Sequence, residues 1–356
     1  MKVLSVVGNR PQFVMAAPVS RAVRTIGEEV LVHSGQHYDP ALADLFFDEL
    51  DIPEPDHALG VGPGTPTRQA ADMIAALEPV LHEESPDAVL AYGDTTTTLA
   101  AAVACAKSGF RLAHVEAGLR SFDRTMPEEQ NRIVTDHLSE RLYCPTSTAV
   151  GNLANEGIRS GVELVGDVMY DASLAFAPAA EARPGAAALG LSSGDYVLVT
   201  AHRAATTDTR DALLGLVRVI AAIDGPVVFP LHPRTRARLE AEELLGALEH
   251  ADGLQLSEPV GYLDFTALLR GARAVVTDSG GVQKEALFHG VPCITLREET
   301  EWVETVTAGR NTLVGLDPAR VRAALAAPRP DGDPPPLYGD GRSAERIAAS
   351  LSELLG

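Results

Sequence analysis

Short apolar runs alternate with longer amphipathic segments from one end of the chain to the other, and most runs stop at a glycine, a proline or a charged residue. Runs of this kind, rich in Val, Ile and Leu, read as strands buried on both faces of a parallel sheet, with the amphipathic segments as covering helices. The chain opens on MKVLSVVG, turns at Gly8, Asn9, Arg10 and Pro11, and continues as an apolar helix from Gln12 to Thr25. Strands follow at Glu29–His33, Asp87–Tyr92, Arg111–Ala113, Arg141–Cys144 and Val162–Val165, with helices ending near Leu50, from Gly93 to Lys107, from Glu128 to Glu140 and from Thr146 to Glu156. The Ala- and Pro-rich run Ala175–Gly190 carries the chain into a second series, with strands at Tyr196–Thr200, Val227–Leu231, Leu254–Glu258 and Ala274–Thr277. The class is α/β, in two series of strand-loop-helix units. Between them the Pro- and Gly-rich segment Asp51–Thr67 has no periodicity, and its length suits a lid or a ligand edge. Its glycines neither follow a strand nor open a helix, so it is no nucleotide fingerprint.

Composition narrows the class of partner. At 356 residues there is room for two domains, each with its own core. No apolar run approaches the roughly 18 residues of a membrane span. The apolar N-terminal run covers only about five residues and lacks a small-residue cleavage site, so the expectation is a cytoplasmic protein without a membrane partner. Cys105, Cys144 and Cys293 are odd in number and far apart, which suits reduced core thiols. A net charge of -20 argues against nucleic acid, so any bound phosphate must be met by a few local cations.

Those cations stand at strand ends, where open α/β sheets bind ligands. Arg10 follows the first strand and adjoins a helix N-terminus, as an anion site or as a solvent-facing turn residue. Gln36 and His37 follow the second, where a polar turn is sufficient explanation. Asp94 follows the next, as a helix cap or as a cap that also does chemistry. The stretch His114–Arg132 (HVEAGLRSFDRTMPEEQNR) carries more charge than a connection needs. Thr125 with Glu128 fits a capping box, whereas Glu116 has no such structural reason and calls for Arg120, Arg132 or a substrate. In the second series His202 and Arg203 end one strand, and His232 and Arg234 another. Asp278, Ser279, Gly280 and Gly281 then open a helix containing Glu285, the context of a phosphate site with a carboxylate for ribose hydroxyls.

Along nearly its whole length the chain resembles the UDP-N-acetylglucosamine 2-epimerase family, of the non-hydrolysing type. The motifs are GNRPQ at Gly8, SGQHYD at Ser34, GDTTTT at Gly93, the His114–Arg132 stretch, VGDVMYD at Val165, TAHR at Thr200, HPRT at His232 and TDSGGVQKEALFHGVPC at Thr277. The resemblance implies two Rossmann-like domains of the glycosyltransferase-B type facing across a cleft, commonly as a homodimer. The expected domains are residues 1–167, completed by the helix 341–356, and residues 168–340. It implies a UDP-sugar substrate, no cofactor and no metal. The implied reaction eliminates UDP to a glycal and adds it back with carbon 2 inverted. Asp94, Glu116, Glu128 and His202 are the implied catalytic groups, and Arg10, Arg132, Arg203, Ser279, Gly280, Gly281 and Glu285 the implied substrate contacts.

Two departures stand out. Met15 occupies a position where most members carry lysine, and Ala204, Ala205 and Thr206 follow TAHR where the family has more polar residues. The Gln36 loop also lacks the Met-containing form that accompanies activation by substrate, which implies little such activation here. The alternatives are a hydrolysing enzyme releasing N-acetylmannosamine and UDP, and a UDP-sugar-binding homologue without epimerase chemistry.

Overall fold

The computed structural model describes residues 1–36 and 49–355. His37 and the helix expected before Leu50 fall outside the described residues. The chain divides into two compact units, Met1–Phe176 with Pro336–Gly356, and Ala177–Pro335.

The first unit holds strands β1 (Lys2–Val7), β2 (Glu28–His33), β3 (His57–Ala58), β4 (Ala88–Tyr92), β5 (Leu112–Val115), β6 (Arg141–Cys144) and β7 (Val162–Leu164). They form one parallel sheet in the order β3-β2-β1-β4-β5-β6-β7. The second unit holds β8 (Val197–Thr200), β9 (Val227–Pro230), β10 (Leu254–Ser257), β11 (Ala274–Thr277), β12 (Cys293–Thr295) and β13 (Asn311–Leu313), parallel in the order β10-β9-β8-β11-β12-β13. Each unit is Rossmann-like. The central strands are buried on both faces, as their unbroken apolar runs require. Strand order reverses between β1 and β4 in one sheet and between β8 and β11 in the other. These switch points are where such sheets open a crevice at their carboxyl ends.

β5 runs to Val115, so His114 is a strand residue and not the start of a loop. The Ala- and Pro-rich run Ala175–Gly190 starts inside the helix Val168–Glu181, which holds Pro178, and the boundary between the units falls within it at Phe176–Ala177. Alanine's helix propensity sustains the helix there. In the first unit the helix Ser343–Leu355 packs on the helix Arg10–Val23. It is tied down by Tyr338 O, which accepts from the Asp167 amide at 2.9 Å, and by the Asp171 carboxylate, which accepts from the Ala344 amide at 2.7 Å. All three cysteines are buried and unpaired, and burial first of all pushes each thiol up to about 12. Among the described residues no helix is long and apolar enough to cross a membrane.

Candidate active site

At the first switch point two turns meet. Gly8 follows the end of β1, and Asn9 caps the helix Arg10–Val23 by accepting from the Gln12 amide at 3.3 Å. This places Arg10 in the first helical turn beside the strand end. A Cβ on Gly8 would lie 2.0 Å from Ser34 Oγ and 2.3 Å from Thr97 Oγ1, so only glycine fits. Thr97 in turn donates to Gln36 Oε1 at 2.7 Å, which fixes the described start of the SGQ loop. Gln12, fully buried, straps the two turns together. Its Oε1 accepts from the Gly8 amide at 2.8 Å, and its Nε2 donates to Tyr92 O at 2.8 Å and to the Thr95 and Thr98 hydroxyls at 3.0 Å.

Gly93 leaves β4 in the left-handed region at φ 60°, and Thr95 caps the helix Thr96–Ser108 in a capping box with Thr98. Asp94 is therefore not the cap. Its carboxylate pairs with the guanidinium of Arg132, a residue 1% exposed, while Asn131 Nδ2 donates to its carbonyl at 2.8 Å. From β5 the chain enters Glu116 at φ 72°, a strained conformation for a side chain of that size. The Glu116 and Ala117 amides both donate to Tyr143 O at 3.1 Å. A Cβ on Gly93 would be 3.6 Å from Glu116 Oε2 and 3.2 Å from Met15 Cε. The Glu116 carboxylate, the Met15 thioether and the Gly93–Asp94 turn thus converge.

Behind these turns lies a buried charge chain. His114 reaches Asp136 Oδ1 and Gly93 O, both at 2.7 Å, and Arg120 donates to Asp136 Oδ2 at 2.7 Å. Burial acts to raise the Asp136 carboxyl, but His114 and Arg120 outweigh it and hold it below its ordinary value. Arg120 also pairs with Glu156, at 2.6 Å. The capping box expected of Thr125 and Glu128 is not made: Met126 caps the helix Pro127–Leu138, and the Thr125 amide and hydroxyl both go to Asp123 Oδ1. Glu128 lies in the first turn of that helix, half-buried and without a hydrogen bond or ion pair among the described residues. Its neighbour Glu129 is committed elsewhere, accepting from the Ser121 amide at 2.8 Å, the Phe122 amide at 3.0 Å and Arg132 Nη1 at 3.1 Å.

At the second switch point Asp278, fully buried at the end of β11, accepts from the His202 amide at 2.9 Å and the Arg203 amide at 2.9 Å. The His202 imidazole stacks on His232 at 5.5 Å between centroids. Ser279 caps the helix Gly280–Phe288, whose N-terminal amides favour an anion. The missing Cβ of Gly280 is used by the protein itself: that atom would lie 2.6 Å from Glu301 Oε1 and 3.1 Å from Trp302 Nε1. Gly281 is the following residue of the same turn. Around it stand Arg203, 3.5 Å from Glu301, Arg297, 2.8 Å from Glu301, and Lys284, with Nζ 4.0 Å above the Trp302 ring. Glu285 is buried on the same helix, and the Tyr262 hydroxyl is pushed well up, first by burial and then by the Glu285 charge.

The structure thus pairs Asp94 with Arg132 and brings Glu116 to the Gly93–Asp94 turn, with Arg10 and Glu128 each in a first helical turn of the same unit; in the second unit His202 and Arg203 meet the Asp278 turn that leads to Ser279, Gly280, Gly281 and Glu285. Sequence reasoning missed Gln12, Glu301 and Tyr262, and named Asp278 without its role of holding the His202 and Arg203 amides. Gln12 and Asp278 lie inside quoted motifs, but their roles are contacts between distant turns, which one sequence does not display. Among the described residues no group of three His, Cys, Asp or Glu side chains is placed to hold a metal ion.

Comparison with known proteins agrees with this architecture. The family model for UDP-N-acetylglucosamine 2-epimerase matches residues 22–352. A UDP-N-acetylglucosamine 2-epimerase homolog of Methanococcus maripaludis is 45% identical, over 99% of this chain and 100% of that protein. The UDP-2,3-diacetamido-2,3-dideoxy-D-glucuronate 2-epimerase of Pseudomonas aeruginosa is also 45% identical, over 99% of this chain and 100% of that protein. The crystal structure of Methanocaldococcus jannaschii UDP-GlcNAc 2-epimerase, in complex with UDP-GlcNAc and UDP, superposes with a TM-score of 0.92 at 40% identity, covering 99% of this chain and 100% of that one. On both sequence and structure, this chain belongs to the UDP-N-acetylglucosamine 2-epimerase family.

Proposed function

We propose that the protein inverts carbon 2 of a UDP-2-acetamido sugar without hydrolysis. The sugar is UDP-N-acetylglucosamine or a 2,3-diacetamido uronate, since relatives named for each are similar over nearly the whole chain. A carboxylate removes the carbon 2 proton, and the electrons left there form the glycal double bond as the carbon 1–oxygen bond breaks toward UDP. A second acid then protonates carbon 2 from the opposite face, and the UDP oxygen returns to carbon 1. Two-face proton traffic needs more than one acid or base, and Asp94, Glu116 and Glu128 supply three candidates. Arg10, Arg203, His202 and the helix N-terminus at Ser279–Gly281 stabilise the charge that gathers on departing UDP, and Glu285 takes the ribose. Assembly as a homodimer is part of the same proposal.

The observation that carries this reading is the sorting of chemistry between the two switch points. The carboxylates of Asp94, Glu116 and Glu128, Asp94 held by Arg132, stand in the first unit, and a glycine-opened helix N-terminus with flanking cations in the second. The test is incubation with each of the two UDP-sugars and chromatographic identification of the products. A UDP-linked epimer supports the proposal. Free N-acetylmannosamine with UDP contradicts it in favour of hydrolysis, and binding of UDP without turnover of either sugar contradicts it in favour of a binding homologue.

A further inference from the structure

Phe122 carries two penalties at once. Its backbone is left-handed at φ 62°, and its side chain is 79% exposed, the most exposed large apolar side chain among the described residues. The other described non-glycine residues at positive φ are Asp51, Ser85, Glu116 and Glu243, all polar. A bulky residue persists in that region only where its surroundings over-determine it. Here the surroundings are identifiable: Glu129, 1% exposed, accepts from both the Ser121 and Phe122 amides and is ion-paired to Arg132. Arg132 is in turn paired with Asp94. One carboxylate–guanidinium chain therefore links the backbone that carries the phenyl ring to the Asp94 carboxylate at the first switch point. A structural connection would place a glycine, asparagine or aspartate at such a backbone position.

We infer that Phe122 is a substrate-contacting residue whose ring covers the apolar face of the sugar and its acetamido methyl, and not the nucleotide. The assignment rests on the proposed UDP-sugar reading of the site. It explains why the aromatic is retained where its backbone is strained and its surface wet: the ring is buried only when substrate is bound.

The experiment uses Phe122→Gly and Phe122→Tyr in the full chain, with Kd measured by calorimetry for UDP and for UDP-N-acetylglucosamine. In Phe122→Gly the Kd for the UDP-sugar rises about tenfold, the ratio given by losing much of one phenyl side chain's burial. The Kd for UDP stays unchanged, and Tm does not fall, because glycine accepts the left-handed backbone without strain. Phe122→Tyr restores the UDP-sugar Kd. Equal affinity of Phe122→Gly and the parent protein for the UDP-sugar overturns the inference, as does an equal loss for UDP. Unchanged affinities with a shift to smaller species in sedimentation also overturn it, in favour of a contact with a second copy. Because binding and not turnover is read, a parent protein that binds the sugar nucleotide without epimerising it refutes the proposed function and leaves this test intact.

Discussion

Asp94 and Glu116 differ in how they are held, and the difference sets what each substitution does. Asp94 is anchored by Arg132, so Asp94→Asn strips one of two carboxylate partners from a buried guanidinium and should cost stability as well as rate. Glu116 owes its place to backbone geometry, with two amides on Tyr143 O. Glu116→Gln should leave UDP affinity near the parent value while slowing carbon 2 proton exchange by at least about a hundredfold. Exchange kinetics and UDP calorimetry on the same sample check both halves. At this scale the sequence was informative about residue type at strand ends, and less so about partners. Asp94 read equally well as a cap, and only the placement of Thr95 removed that alternative. The Glu128 capping box was a plausible local pattern that lost to Asp123, which takes the Thr125 hydroxyl instead.

The turns at the first switch point act as one element because Gln12 spans them. Replacing it by leucine leaves the buried Gly8 amide without its acceptor, at a cost of about 1–3 kcal/mol, while Tyr92 O keeps the Thr98 hydroxyl at 2.6 Å. Gln12→Leu should lower stability by about 1–3 kcal/mol in urea titration and reduce turnover, because the Asp94 turn loses its strap. A variant as stable and as active as the parent would remove Gln12 from the account. Element type was legible from apolar runs, since parallel strands buried on both faces leave few other readings. Element ends were not. His114 looked like a loop residue because it is charged or polar by type, yet it lies in β5 where Asp136 and Gly93 O satisfy it. The helix through Ala175 was obscured by its prolines, which break helices only on average.

Across the whole molecule the same device is used twice: a sheet whose order reverses, with a functional turn on each side of the reversal. The two-series α/β class was legible because strands and helices alternate throughout, whereas strand order is a property of pairing and became visible only in the sheets. Stability of the second unit should depend on acid through His289. Burial, and then the charge of Arg270, lower its pKa from 6.5 to about 4. The unfolded chain therefore takes up a proton between pH 6.5 and 4 that the folded unit refuses, and stability falls as pH drops through that window. The loss approaches about 3 kcal/mol at its lower end, and His289→Gln should flatten the slope in denaturant titrations at pH 7 and pH 4.5. Substrate saturation should be hyperbolic, since the Gln36 loop lacks the form that accompanies substrate activation; strong sigmoidicity in UDP-N-acetylglucosamine would contradict that expectation.

The central claim is that carboxylates of the first unit move the carbon 2 proton of a UDP-sugar. Proton NMR in heavy water tests it most directly, following the carbon 2 and anomeric signals of UDP-N-acetylglucosamine and of a 2,3-diacetamido uronate analogue with purified protein. The account predicts loss of the carbon 2 proton signal from at least one of them, together with growth of a UDP-linked manno-configured epimer carrying deuterium at carbon 2. An epimer that retains the original proton at carbon 2, or no exchange on either sugar while UDP binds, would contradict it.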